Sequence, residues 1–234
     1  MAPFFYIPFL ADASVIELDA DTSHHIAQVL RMQVGEPLYL TDGNGHKIYG
    51  QLTSVAKRSC VVQVAQRTVE PFFGRNVHLT VAPIKNNSRF EWLIEKATEL
   101  GVRSIRPILT ARTEKQRLRI DRLKQISIAA MLQSQQVWLP KLDEPISISD
   151  HLMAMKSSRH QRLIAHCVDA ERTDLSQLVL SDEVELLIGP EGDFTELEIS
   201  QALEAGYSPV LLGATRLRTE TAGVVGSAWL RLQR

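Results

Sequence analysis

Two loops rich in glycine and charged residues, each directly behind a short aliphatic run, constrain the fold of this chain most. The first lies in LLIGPEGDF at residues 186–194, and the second lies in LGATRLRTETAG at residues 212–223. One helix-length segment separates them. Short aliphatic runs that alternate with helices are typical of a mainly parallel sheet covered on both faces. Such sheets bind ligands outside the carboxyl ends of their strands, so both loops are expected at a binding site.

The alternation of strands and helices begins near residue 77. Helical patterns cover residues 88–100, 117–136, 195–205 and 220–232, and strand patterns cover residues 77–84, 105–109, 162–168, 184–189 and 209–213. Capping boxes are predicted at Ser88 with Glu91 and at Thr195 with Glu198. Glycines are expected to end these two helices, at Gly101 and Gly206. The pattern predicts an α/β domain over residues 75–234.

The first 70 residues have a different rhythm. Short β-like runs are separated by a turn at Gly43-Asn44-Gly45, which is typical of a small β-barrel or sandwich. Residues 71–76, PFFGRN, fit a linker. We therefore expect two domains, one over residues 1–70 and one over residues 75–234.

Composition excludes several protein classes. At 234 residues and 44% hydrophobic content the chain can bury a core, and no apolar run approaches the ~18 residues of a membrane span. The first 14 residues contain no Lys or Arg, unlike a secretion signal, so a cytoplasmic location is expected.

Cys60 and Cys167 are far apart in the sequence and lack zinc-ligand spacing. His24 and His25 are adjacent and therefore cannot share a helix face. We expect core cysteines, no disulfide and no metal.

Charge is unevenly distributed along the chain. Lys and Arg minus Asp and Glu give 5 − 7 = −2 for residues 1–74, 12 − 5 = +7 for residues 75–124, and 9 − 15 = −6 for residues 125–234. The basic stretch is either a surface that faces phosphates or a solvated helix face. Its members include Lys85, Arg89, Lys96, Arg112, Lys115 and Arg117.

Four segments in order resemble one known family. FEWLIEKATELGVRSIRPILTART, AAMLQSQQVWLP, LLIGPEGDFTELE and LLGATRLRTETAG look like the RsmE family of ribosomal RNA uridine-N3 methyltransferases, in the SPOUT superfamily. HHIAQVLRMQVGEPLYLTDGNG is similar to that family's PUA-like, RNA-binding β-barrel. The resemblance implies a C-terminal trefoil knot, S-adenosylmethionine (SAM) as cofactor, ribosomal RNA or the small subunit as substrate, and a homodimer. The chain departs from the usual family pattern at Gln136, Asp193, Thr215 and Arg216.

The resemblance also implies site residues. Arg218 would stabilise the uracil oxygens or bind phosphate, and Glu220 would accept a proton; alternatively, Glu220 is a helix N-terminal carboxylate with Arg218 as its ion-pair partner. The cofactor pocket would comprise Leu187, Gly189, Pro190, Glu191, Gly192, Leu212, Gly213, Leu217, Arg218 and Thr219. We expect a side chain at Gly192 to abolish SAM binding. RNA would contact Arg31, Lys85, Arg89, Lys96 and Arg216. His166 lines the pocket or packs in the core.

Other functions remain open at this stage. A SPOUT enzyme acting on a ribose oxygen or on another RNA has the same loops, and a non-catalytic RNA-binding assembly protein would have eroded ones. The intact GPEG and LRTETA segments count against the second alternative. Small residues in the last helix, including Gly223 and Gly226, suit either a dimer interface or packing within one chain.

Overall fold

A computed structural model describes residues 2–10, 12–114, 117–168 and 171–233. Lys115 of the basic stretch lies outside these residues. The chain divides into two compact units, Met1–Phe72 with Met131–Leu139, and Phe73–Ala130 with Pro140–Arg234.

The first unit contains a five-stranded sheet. Its strands are β1 (Phe4–Tyr6), β2 (Val15–Glu17), β3 (Pro37–Thr41), β4 (His46–Ser54) and β5 (Val61–Val69), in the spatial order β1-β3-β4-β5-β2. Only β1 and β3 pair in parallel among the described strands of this sheet. Helix α1 (Ala20–His24) continues into a π-helical turn (His25–Val29). The predicted turn between β3 and β4 is confirmed, since Gly43 and Gly45 have φ of 73° and 91°.

Residues 131–139 belong to this first unit. The indole nitrogen of Trp138 donates to the carbonyl of Glu70 at 3.0 Å, and its ring packs edge-on against Phe72. The amide of Gly45 donates to the carbonyl of Val137 at 2.8 Å. A Cβ at Gly45 would approach the Trp138 ring to 2.5 Å, so this turn needs glycine for close packing as well as for its positive φ.

The second unit contains an eight-stranded sheet. Its elements are β6 (Asn76–Val81), α2 (Asn87–Glu99), β7 (Ser104–Leu109), α3 (Ile120–Gln133, whose end enters the first unit), β8 (Lys141–Leu142), β9 (Ile146–Ser147), α4 (Ile148–Met155), β10 (Gln161–Ala165), β11 (Thr173–Asp174), a 3-10 turn (Leu175–Gln177), β12 (Glu183–Ile188), α5 (Glu196–Glu204), β13 (Ser208–Leu211) and α6 (Thr219–Leu232). The order is β11-β13-β10-β12-β6-β7-β8, and β9 also pairs with β7. All these described pairs are parallel.

Helices cover both faces of this sheet. Leu186 of β12 packs in a core cluster with Leu93 of α2 and Leu230 of α6. The next residue, Leu187, points to the other face and packs in a cluster with Leu152 of α4 and Ile199 of α5. The prediction of a parallel sheet covered on both faces is therefore confirmed.

Helix boundaries follow local sequence signals, with one exception. The predicted capping box of Thr195 and Glu198 is present, and the positive φ angles of Gly101 and Gly206 follow the ends of α2 and α5. The predicted box of Ser88 and Glu91 is wrong. Asn86 caps α2 instead, accepting from the amide of Arg89 at 3.1 Å, so the cap lies two residues earlier than predicted. Glu91 pairs with Arg122 at 2.8 Å.

A buried polar network lies on one face of the second sheet. The carboxylate of Glu185 accepts from the hydroxyl of Thr80 at 2.5 Å and from that of Tyr207 at 2.7 Å, and it lies 2.7 Å from Nε2 of His151. Burial raises the pKa of Glu185, but the hydrogen bond and charge of His151, with the two hydroxyls, lower the pKa by more. This network therefore stabilises an ionised carboxylate inside the unit.

None of the helices within the described residues is both long enough and apolar enough to cross a bilayer.

Candidate functional site

A cavity of about 680 Å³ lies at the carboxyl ends of three adjacent parallel strands. These are β13, β10 and β12, and the cavity is lined by residues at and after their carboxyl ends, at 210–220, at 165–167 and 172, and at 188–191 and 193. The structure thus brings together the two loops whose sequence suggested a site, and adds a third loop after β10. The volume is in the usual range for pockets that bind nucleotide-sized molecules.

Hydrogen bonds fix the loop after β12. The hydroxyl of Thr219 donates to the carbonyl of Gly189 at 3.0 Å, which joins the two predicted loops. A carboxylate oxygen of Glu191 accepts from the amide of Lys85 at 3.0 Å. The guanidinium of Arg112 donates to the carbonyl of Gly192 at 2.7 Å. The loop is thereby held from the cavity side and from behind, which favours preorganised binding.

Asp193 explains one departure from the family pattern. Its φ of 61° is left-handed, a conformation that favours glycine. Its side chain accepts from the amides of Cys167 at 2.7 Å and Phe194 at 2.8 Å. Asp tolerates the left-handed region better than most residues, and these bonds offset the cost. Asp193 consequently ties the loop after β12 to the loop after β10.

The loop after β13 offers backbone to the cavity. Gly213 has a φ of 140°, and a Cβ built on it would meet nothing within 4 Å. The four residues from Gly213 to Arg216 are exposed and line the cavity. Backbone amides and carbonyls in this loop are therefore accessible to a ligand.

The loop after β10 contributes two buried polar atoms without partners among the described residues. They are Nδ1 of His166 and Nε of Arg172, and both residues line the cavity. Nη1 of Arg172 donates to the carbonyl of His166 at 2.8 Å. Burial lowers the pKa of His166, which keeps the imidazole neutral near pH 7. Buried polar atoms normally have a hydrogen-bond partner, so these two favour a polar ligand in the cavity.

A charged group lies at the start of α6. Arg218 is the N-terminal flanking residue of this helix, and Glu220 lies in its first turn. The Glu220 side chain is only 8% exposed, and its carboxylate lies 3.6 Å from Nη1 of Arg89. Arg218, Glu220 and Arg89 all line the cavity. The ion-pair partner that the structure gives Glu220 is thus Arg89, where the alternative interpretation of the sequence had Arg218.

Most of the predicted cofactor residues lie together. Eight of the ten line the cavity, and the other two, Leu187 and Gly192, do not. Leu187 is fully buried in the hydrophobic core. A Cβ on Gly192 would lie 3.4 Å from the side chain of Arg112, which is outside the lining. The expected steric conflict between a Gly192 side chain and the cofactor therefore has no support in this geometry.

The predicted RNA-binding residues divide into different environments. Arg89 and Arg216 line the cavity. The exposed ammonium of Lys85 lies 3.1 Å from Glu114, and that of Lys96 lies within 3 Å of Glu95 and Glu99. Arg31, in the first unit, is exposed with a left-handed φ of 53°. Several cations of the basic stretch are thus paired within the chain.

Some cavity residues had not been assigned to the site from the sequence. Arg172 and Cys167 follow β10, and Cys167 is exposed, so its expected place in the core is wrong. His166 lines the cavity, as one of its two interpretations predicted. The carboxyl-end rule for parallel strands, applied to the strand RLIAHCV, would have indicated this third loop.

Two family models match the chain. A model described as an RNA methyltransferase domain matches residues 73–231, and one described as an RNA methyltransferase PUA domain matches residues 18–65. Among curated proteins, the chain is 30% identical over 231 residues to a ribosomal RNA small subunit methyltransferase E from Rickettsia conorii, covering 95% of this chain and 92% of that protein.

Solved structures are similar over nearly the whole chain. A probable rRNA methyltransferase from Porphyromonas gingivalis is 36% identical, with a TM-score of 0.89 and 98% of each chain covered. A ribosomal RNA small subunit methyltransferase E from Neisseria gonorrhoeae, bound to SAM, is 29% identical, with a TM-score of 0.87 and 97% and 96% of the two chains covered.

Proposed function

The chain belongs to the RsmE family of ribosomal RNA small subunit methyltransferases, and we propose that it methylates N3 of a uridine in small-subunit (16S) ribosomal RNA. SAM is the methyl donor of this enzyme family. The observation that supports the proposal best is the cavity at the ends of β10, β12 and β13, with Arg218 and Glu220 in its wall.

The cavity residues fit SAM. The loop after β13 presents accessible backbone at Gly213, suited to a purine edge and ribose hydroxyls, and Gly189 of the loop after β12 lines the same cavity. His166 Nδ1 and Arg172 Nε are buried without partners among the described residues, and a polar ligand would satisfy them. We therefore assign these four residues to cofactor binding, with Pro190, Leu212, Leu217 and Thr219 as further contacts.

Bound SAM supplies an electrophilic methyl group on a sulfonium. The chain must then align the uridine nitrogen with that methyl group, exclude water and accept the N3 proton. The Thr219 hydrogen bond to Gly189 holds the two cofactor loops at a fixed separation, which favours alignment.

We assign Glu220 as the base that accepts the uridine N3 proton. Its carboxylate is buried, lines the cavity and is held by Arg89 at 3.6 Å. Loss of the N3 proton places negative charge on the two flanking uracil oxygens. Arg218, two residues earlier and exposed in the same wall, is suited to stabilise that charge. The alternative role of Glu220, an interaction with the helix dipole, is compatible with this assignment.

Transfer of labelled methyl groups from SAM to small-subunit RNA tests the proposal. Digestion to nucleosides should place the label in 3-methyluridine. Label in a 2′-O-methylated nucleoside would instead support a ribose methyltransferase of the same superfamily.

We also propose the family's homodimer and C-terminal knot for this chain. The small residues of α6 do not by themselves favour a dimer. A Cβ on Gly223 would approach Leu93 of α2 to 2.6 Å, and one on Gly226 would approach Leu186 of β12 to 2.3 Å. Half-exposed Trp92 and Val225 are better candidates for contacts with a second copy. If light scattering at micromolar concentration shows a monomer and that monomer is fully active, the dimer is refuted.

A further inference from the structure

A second cluster of ligand-type side chains lies at the other edge of the second sheet. His78 lies near the amino end of β6, Glu183 is the first residue of β12, and His160 directly precedes β10. These three strands are adjacent in the order β10-β12-β6. The cluster is therefore at the amino ends of the strands, whereas the cavity is at carboxyl ends.

The three side chains offer two imidazole nitrogens and a carboxylate within a small volume. Nε2 of His78 lies 2.9 Å from Oε2 of Glu183, and Nε2 of His160 lies 4.0 Å from the same oxygen. One ligand atom from each residue falls within 4.8 Å of the others. The two imidazole rings are stacked, with centroids 4.4 Å apart.

Neighbouring polar side chains contact His78 and Glu183 and orient them, as is common for metal ligands. Nδ1 of His78 lies 2.7 Å from the hydroxyl of Ser104, and Oε1 of Glu183 accepts from the side-chain Nδ2 of Asn76 at 2.5 Å. If His78 donates its Nδ1 proton to Ser104, the Nε2 lone pair faces Glu183. Metal-binding histidines typically make such a contact through their other nitrogen.

We propose that His78, His160 and Glu183 bind one divalent ion of the zinc class. Two imidazoles and one carboxylate are a zinc donor set with a fourth position for water, and they are poor ligands for magnesium or calcium. Bonds of about 2.0–2.2 Å in a tetrahedral site place ligand atoms roughly 3.2–3.6 Å apart. The observed separations of 2.9 and 4.0 Å lie on either side of that range, so binding of the ion requires small shifts of both imidazole nitrogens relative to the Glu183 oxygen.

The site would link three strands whose ligands are distant in sequence. Residues 78, 160 and 183 have no motif spacing, which is why ligand spacing in the sequence led to an expectation of no metal. An ion held by all three binds the folded chain and stabilises it against unfolding.

Titration of the metal-free full-length protein with zinc chloride tests the proposal. Calorimetry should give one ion per chain, and zinc should raise Tm. H160Q and H78Q should each raise the Kd for zinc at least tenfold. H46Q is the matched control, because His46 forms a pair with Asp42 at 2.7 Å in the first unit and should leave Kd unchanged.

SAM titration shows that each variant is folded, because the cavity lies at the other edge of the sheet. Absence of zinc binding would overturn the proposal. So would equal binding of magnesium chloride, or an unchanged zinc Kd in a folded H160Q protein.

Discussion

Arg89 of α2 and Glu220 of α6 form an ion pair in the wall of the cavity, with 3.6 Å between Nη1 and Oε1. The Arg89 side chain is 49% exposed, whereas that of Glu220 is 8% exposed. A buried carboxylate with a half-exposed partner is held in one place yet remains accessible from the cavity. We therefore propose that Arg89 positions Glu220, and its contact with RNA stays a prediction.

Arg89→Ala should lower kcat by about 10- to 100-fold, because it leaves the Glu220 carboxylate unpaired in a buried position. Arg122→Ala is the control, since Arg122 pairs with Glu91 at a more exposed position, and its effect should stay within about twofold. Arg89→Lys should restore part of the rate. Steady-state kinetics at varied RNA concentration measure this. An effect of Arg89→Ala confined to the KM for RNA would identify Arg89 as a phosphate contact instead.

Gly213→Val should raise the Kd for SAM by at least roughly tenfold. Its φ of 140° is rarely adopted by residues with a side chain, and the glycine lines the cavity. Gly192→Ala should change the Kd by less than about threefold, because its Cβ would meet Arg112 at an ordinary contact distance of 3.4 Å. Calorimetric titration compares the two variants. The reverse order of affinities would indicate that the cofactor lies closer to Gly192 than to Gly213.

Local sequence signals predicted local structure well. The Thr195–Glu198 box depends on residues three apart and was confirmed, as was the glycine turn between β3 and β4. The start of α2 was misplaced because Asn86 and Ser88 are both good capping residues, and only the path of the preceding chain decides between them.

Tertiary contacts were harder to predict. Both faces of β12 are buried, so an aliphatic run does not tell whether Leu187 faces core or ligand. The pairing of Arg89 with Glu220 joins helices that are 131 positions apart in sequence, and net charge per segment contains no information about such pairing. The pattern of aliphatic runs followed by glycine-rich segments located the two loops, whereas the direction of each side chain required the structure.

Glu185→Gln should weaken the pH dependence of stability. The pKa of Glu185 is lowered in the folded state, chiefly because the contacts from His151 outweigh the effect of burial. Because its pKa is lowered by folding, the ionised Glu185 carboxylate contributes its full stabilisation of the fold at pH values above the unfolded pKa near 4.5. This contribution is lost as the pH falls through the folded-state pKa. The variant should lose about 1–3 kcal/mol at pH 7 and less at pH 4.

Urea unfolding of the wild type and the variant at pH 7, 5 and 4 measures this difference. Glu114→Gln is the control, because Glu114 is an exposed partner of Lys85 and should behave like the wild type. A constant stability difference between Glu185→Gln and the wild type at all three pH values would show that Glu185 is not ionised in the fold.

Lys85→Ala should weaken RNA binding and reduce the salt slope of log affinity by about 0.7, as expected for one single-strand phosphate contact. Lys85 is exposed, and its ammonium is outside the cavity lining, so the Kd for SAM should not change. Lys156→Ala is the control for loss of one exposed positive charge in an acidic segment. Binding should be measured at three or more salt concentrations. Equal slopes for both variants would mean that Lys85 belongs to a solvated face.

Methyl transfer to small subunits that lack the modification tests the central claim most directly. Wild-type and Gly213→Val proteins are incubated side by side with SAM labelled in the methyl group, and the RNA is digested to nucleosides. The cavity, together with the family to which the chain belongs, predicts label in 3-methyluridine for the wild type. Gly213→Val should incorporate at least about tenfold less label at limiting SAM. Label in a 2′-O-methylated nucleoside, or equal labelling by the two proteins, would contradict the assignment.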